Sequence, residues 1–118
     1  LRAVYGNIDG TEVRKEFPIE QHFEIDGYQV YMIHIGGYPK RYAKGIKEKL
    51  KMKKPDLFIC GHSHILKVIN DHDLNLLHMN PGAIGKQGFH QKRTMLRFEI
   101  NNGNIKNLEV VDLGKRGQ

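Results

Sequence analysis

The chain is dominated by short apolar runs that stop abruptly on glycine, proline or a polar side chain. Runs this short, rich in Val, Ile, Tyr and Phe, read as strands. Four of them lead straight into side chains able to bind a metal: Val4-Tyr5-Gly6-Asn7-Ile8-Asp9, Met32-Ile33-His34-Ile35-Gly36, Phe58-Ile59-Cys60-Gly61-His62-Ser63-His64, and Met79-Asn80-Pro81-Gly82-Ala83. Loops at strand ends, held by a rigid sheet, are where sites are usually built. The expected architecture is a β-rich α+β domain with polar clusters just beyond its strands.

Strands are expected at Arg2–Tyr5, Glu12–Phe17 and Gln21–Ile25, then at Tyr28–Ile35 after the hairpin turn Asp26-Gly27. Gly36-Gly37 and Pro39 break the chain. From Lys40 to Lys53 the spacing turns helical, with Tyr42, Ala43, Ile46, Leu50 and Met52 on the buried face and Pro55 as the stop. Further strands are expected at Asp56–Cys60, Ile65–Ile69, Leu74–Met79 and Thr94–Ile100. Asn101-Asn102-Gly103 then turns the chain into Ile105–Leu113, and Gly114–Gln118 is expected to fray. No repeat or linker divides the 118 residues, so the whole chain reads as part of one domain.

Hydrophobic residues make up 39% of the chain, enough for a core and against a disordered tail. No run of about 18 apolar residues is present to span a bilayer, which argues against a membrane partner. A single cysteine, Cys60, excludes an internal disulfide framework and fits a reducing compartment, so a cytoplasmic location is expected. The net charge of +6 raises the question of nucleic acid. Much of the excess lies in the lysine-rich stretch Lys40–Lys54, which reads as a solvated helix face rather than a phosphate rail. A positive field still favours an anionic phosphate substrate.

His62-Ser63-His64 is the most informative segment. Two histidines at i, i+2 in an extended loop point to opposite sides and can serve two adjacent ions; a kinked backbone lets them share one. Gly61 allows a sharp exit from the strand. Taken alone, Asn7 reads as a turn asparagine and His34 as a hydrogen-bonded core histidine. His22, His72, His78 and His90 lack a ligand-like context and read as surface or packing residues.

Taken in order, Gly-Asn-x-Asp, a strand-end His, Gly-His-Ser-His and Asn-Pro-Gly-Ala resemble the calcineurin-like metallophosphoesterase superfamily, and within it the small phosphodiesterases of the YfcE type. The resemblance covers essentially the whole chain and is most specific over Phe58–His64 and Asn80–Ala83. It implies two β-sheets packed face to face and flanked by helices, of which this chain would be the C-terminal portion, with two metal ions at strand ends. Asn7, His34 and His62 would hold the second metal and His64 the first, with Asn7 and His62 also serving catalysis. The implied reaction is in-line attack on the phosphorus of a phosphodiester or phosphomonoester by a hydroxide bridging two divalent ions. Mn2+ is the leading expectation, with Ni2+, Fe2+ and Zn2+ open. Tyr38 and Arg41 are candidates for contact with the substrate, against ordinary roles at a helix entry.

The sequence departs from the family pattern in several places. The family's Asp-x-His and Gly-Asp segments, which complete its metal site, have no counterpart here. On the family pattern they precede Leu1, so a truncated, inactive fragment of a larger phosphodiesterase is expected, with an orphan apolar face that would favour pairing with a second copy. Ile8 stands where many members carry a proton-donating His, a loss worth ~10²–10⁴-fold in rate. Asp9 is expected to hold the Asn7 loop rather than an ion. The leading alternative is a non-catalytic binding scaffold of the same fold, as in the retromer subunit Vps29. A nucleic-acid-binding domain ranks below both.

Overall fold

The computed structural model describes residues 1–117. In chain order its elements are helix α1 (Thr11–Glu16), strands β1 (Glu20–Ile25), β2 (Tyr28–Ile33), β3 (Gly37–Tyr38) and β4 (Arg41–Tyr42), and helix α2 (Ile46–Lys53). Strands β5 (Leu57–Ile59), β6 (Lys67–Asp71), β7 (Leu76–Asn80), β8 (Lys92–Asn101) and β9 (Asn104–Lys115) follow. Strands β1-β2-β5-β7-β6 form one five-stranded sheet; β3-β4 and β8-β9 are separate hairpins. The result is a mixed α/β fold with a central mixed sheet and few helices.

Alternation along the central strands sends side chains to two covered faces. Tyr31, Phe58, Cys60 and Leu76 pack on one face with Ile46 and Leu50 of α2. Val30, Leu57 and Met79 pack on the other, where Leu96, Phe98, Ile100 and Ile105 of the β8–β9 hairpin close over them. The Asp26-Gly27 and Asn102-Gly103 turns place these residues at positive φ, as tight hairpin turns demand. The two turns also meet, through Gly103 N donating to Asp26 O at 2.9 Å.

Several expectations need correction. Arg2–Tyr5 joins no strand ladder. It runs beside β1 through isolated contacts: Tyr5 N donates to Pro18 O at 3.1 Å, and Gln21 Nε2 donates to Ala3 O at 2.6 Å. Glu12–Phe17, read as a strand, is α1 instead. Charged side chains of good helix propensity dominate it, with Glu12 in its first turn and Arg14 and Lys15 in its last. None of its residues is buried, so no packing overrides that local preference.

The long helix expected from Lys40 begins only at Ile46. Pro39 followed by Lys40 at φ 70° makes a tight turn, and the residues around it pair as the β3–β4 hairpin. Ile46 and Leu50 are buried as expected, but Met52 is 81% exposed because the shorter helix turns it to solvent. At the far end β9 runs on to Lys115, anchored by Arg116 N donating to Gln91 O at 2.9 Å, rather than fraying from Gly114. Gln118, part of that expectation, lies outside the described residues.

What matters for function is direction. β2, β5 and β7 are mutually parallel, so all three end on the same edge of the sheet. His34, Gly61-His62 and Asn80-Pro81 therefore leave the sheet side by side, as ligand-binding loops do at the carboxyl ends of parallel strands. Gly61 N donating to His34 O at 2.9 Å and Cys60 N donating to Met79 O at 3.0 Å tie these exits together.

Candidate metal centre

The first cluster joins the exits of β2 and β5 to the N-terminal loop. Asn7 Oδ1 lies 2.9 Å from His34 Nε2 and 3.2 Å from His62 Nδ1. The two rings meet edge to face at a centroid distance of 5.2 Å. Three side chains thus converge from positions far apart in sequence. Asp9 Oδ2 accepts from Gly6 N at 2.6 Å, which commits that carboxylate to closing the loop. Arg14 of α1 fixes the same loop by donating to Asp9 O at 2.8 Å and Asn7 O at 3.3 Å. Gly6 lets the loop approach closely, since a Cβ would stand 3.1 Å from the His34 ring and push it by a few tenths of an ångström. Tyr5, Gly6, Asn7, Arg14, Ile33 and His34 border a cleft of about 250 Å³.

Burial lowers the His34 pKa, the neighbouring His62 adds to the effect, and Asp9 opposes it. The neutral imidazole that results is the form that binds metal.

The backbone of the histidine loop is bent with unusual force. Ser63 N donates to Gly61 O at 2.9 Å around His62 at φ 72°, a γ-turn of the rare left-handed kind. His64 follows at φ 63°. Two left-handed non-glycine residues cost of order 1–3 kcal/mol each, and such strain concentrates at functional sites. The kink separates the two rings: His62 turns to Asn7 and His34, while His64 turns to His90.

Buried Asn80 props this loop from below. Its Nδ2 donates to Gly61 O and to Ser63 Oγ, both at 3.1 Å, and its Oδ1 accepts from Gly82 N at 3.0 Å. Tyr38 joins the network through a hydrogen bond between its hydroxyl and Ser63 Oγ. Tyr38, a candidate substrate contact, thereby supports the loop that carries His62. Arg41 is not brought to the histidines; it borders a different surface pocket with Lys40, Lys47, Asp71 and Asp73.

His64 meets a residue that carried no sequence signal. His64 Nδ1 and His90 Nδ1 are 3.1 Å apart, with ring planes at 83°. His90 follows no apolar run, so the pattern that picked out the other histidines could not find it. His78 is a packing residue, fully buried and edge-on to Phe58 at 5.8 Å.

The donor chemistry at the first cluster, two imidazole nitrogens and an amide oxygen, is a set suited to divalent ions from Mn to Zn. Among the described residues no group of three or more His, Cys, Asp or Glu side chains forms a complete site. Each cluster supplies two histidines, and the third donor of the first is an amide.

A parallel-strand edge carrying histidines in strained loops is a place where such folds bind ligands. Comparison with known proteins gives the class directly. The calcineurin-like phosphoesterase superfamily domain matches residues 1–103, and the chain belongs to that superfamily. No curated protein matches the chain.

Among solved structures, a conserved uncharacterized protein from Streptococcus pneumoniae, described as a predicted phosphoesterase, superposes with a TM-score of 0.72 at 18% identity, over 98% of this chain and 63% of that one. Wild-type Vps29 from Entamoeba histolytica, complexed with Zn2+, gives 0.69 at 17% identity, over 95% of this chain and 68% of that one. A Thermotoga maritima protein gives 0.66 at 23%, over 95% and 65%. At these identities the likeness shows the fold. The chain spans roughly two thirds of each of these proteins.

Proposed function

We propose that this chain carries the second-metal half of a metal-dependent phosphoesterase of the YfcE type, acting on phosphodiesters or phosphomonoesters. The observation that carries the reading is the convergence of Asn7 Oδ1, His34 Nε2 and His62 Nδ1 at the ends of parallel strands. These three would hold the second metal, and His64 would belong to the first. A divalent cation there supplies Lewis acidity toward a phosphoryl oxygen and lowers the pKa of the water it binds. The chain's own part is to hold these imidazoles in place. The Gly61–His64 kink aims them, and Asn80, Ser63 and Tyr38 keep the kink rigid.

Mn2+ is the proposed native ion, and the cytoplasm the proposed compartment. Among the described residues no helix is long and apolar enough to cross a membrane. The test is hydrolysis of a chromogenic phosphodiester by the full-length protein with Mn2+ added, this chain alone being expected inactive. His62→Ala is expected to lower the rate by on the order of 100-fold or more, since even outer-sphere partners of metal ligands cost 10–100-fold. Equal rates for wild type and variant would sink the enzymatic reading.

One observation favours a second reading, a binding scaffold like Vps29. Ile8, beside Asn7, is 89% exposed and has no proton to give a leaving group. An apolar side chain held in solvent beside the site suits a protein contact better than catalysis. The scaffold reading predicts no turnover with any divalent metal.

A further inference from the structure

We infer that His90 is a metal ligand, completing with His64 a two-imidazole clasp for a divalent transition-metal cation. The inference rests on the reading of His64 as a metal ligand and adds to it a residue from an unrelated part of the chain.

Three features of the His64–His90 pair point to a cation. First, His90 Nε2 lies 2.9 Å from Gly85 O. A carbonyl only accepts, so Nε2 carries a proton, and in the tautomer with its one proton there the lone pair lies at Nδ1. Metal-bound histidines are held in the same way, with the far N–H on a backbone carbonyl or carboxylate. Second, the two Nδ1 atoms stand 3.1 Å apart. Two nitrogens bound to one ion at ~2.0–2.1 Å lie about 2.9–3.4 Å from each other, from octahedral to tetrahedral angles. Third, the space beside both lone pairs is kept open by Gly88, at φ 130°. A Cβ on that residue would stand 2.4 Å from His64 Nδ1 and 3.0 Å from His90 Nδ1. A side chain there would fill the position that faces both nitrogens.

The clasp is anchored at both ends. His64 is held by the strained loop that Asn80 braces, and Arg116 Nε donates to His90 O at 2.7 Å. Imidazole pairs suit Zn2+, Ni2+, Cu2+ and Fe2+, with the remaining positions filled by water or other oxygen donors. The competing account is a simple hydrogen bond, in which His64 Nδ1–H donates to His90 Nδ1 and His90 merely positions its neighbour.

The deciding experiment titrates Zn2+ into protein carrying 15N-labelled imidazoles and follows the ring nitrogens by NMR. The expected result is that Nδ1 of His64 and Nδ1 of His90 move together to the metal-bound position. His90→Ala is expected to weaken Zn2+ binding by on the order of 100-fold, while His72→Ala, at an exposed turn, leaves it unchanged. Shifts at His34, His62 and His64 with none at His90 would leave the metal centre in place and overturn this inference. No shift at any of these histidines would overturn both. Because the labelled wild type gives the primary readout, the result does not depend on whether the variant folds.

Discussion

The two histidine clusters lie at the same end of the molecule, yet they are built differently. Asn7, His34 and His62 gather where parallel strands stop, two of them continuing directly from β2 and β5, whose hydrogen-bond ladder fixes their spacing. His64 and His90 gather between a strained loop and the approach to β8, with one glycine keeping the space between them clear. The first cluster takes its precision from the sheet and, at His62, from the kinked loop; the second takes it from local backbone conformation alone. A cluster of the first kind fails when the core fails, and one of the second kind can fail alone.

Substitutions can separate the two. The largest effect is expected from Phe58→Ala in β5. Phe58 is fully buried, stacked on Tyr31 at 5.6 Å and edge-on to His78. Its loss should cost about 3–5 kcal/mol in urea unfolding and loosen both clusters together. Asn80→Ala comes next. It removes a buried side chain that braces the Gly61–Ser63 backbone and should cost about 1–3 kcal/mol. It should also disturb the His62 and His64 ring signals while leaving the β1–β2 amide signals in place.

Gly88→Ala tests the second cluster alone. The added methyl group meets His64 Nδ1, and the backbone there is strained for any L side chain. An expected loss of about 1 kcal/mol should accompany separation of the His64 and His90 rings with His34 and His62 unmoved. If both clusters respond equally to Gly88→Ala, the comparison is wrong.

The smallest effect is a pH dependence from His78, which is buried against Phe58, Tyr38 and Tyr42. Burial lowers its pKa, while a hydrogen bond to Gly37 O only partly opposes this, so the folded chain keeps the ring neutral. The unfolded chain takes up a proton near the ordinary value of about 6.5. Stability contributed by the neutral ring is therefore complete above that pH and declines as pH falls toward the folded pKa. The slope cannot exceed about 1.4 kcal/mol per pH unit. His78→Phe should reduce the slope of the urea midpoint between pH 7 and roughly 5.5, leaving the share of His34, whose pKa is also lowered. The carboxylates Glu20 and Asp71 titrate lower and contribute only in stronger acid: Tyr31 holds Glu20 down, and at Asp71 burial is outweighed by hydrogen bonds from Tyr42, Leu74 N and Asp73 N.

The contrast between the clusters also explains what could be read from the sequence. Phe58-Ile59-Cys60 before Gly61-His62 was legible because a buried parallel strand needs an unbroken apolar run and its exit needs a flexible residue. The two hairpin turns were legible because Asp-Gly and Asn-Gly tolerate positive φ. Helix α1 was not, since a six-residue helix with no buried side chain leaves no apolar periodicity. The β3–β4 hairpin was hidden because its Tyr42 and Ala43 pack against the same cluster as α2, which mimicked one longer helix. His90 was hidden most completely: its partner is 26 residues away and no local pattern marks the approach.

The parallel-strand edge has one more consequence. The donor atoms of the first cluster come from positions up to 55 residues apart, so they meet only once the sheet has closed. An ion bound there recognises the folded chain and not the unfolded one, and it enters the folding equilibrium as a reagent. At a free concentration one hundred times its dissociation constant it would add about 2.7 kcal/mol of stability. The supply of metal would then set how much of this protein survives proteolysis and heat, whether or not a phosphoester is ever cleaved.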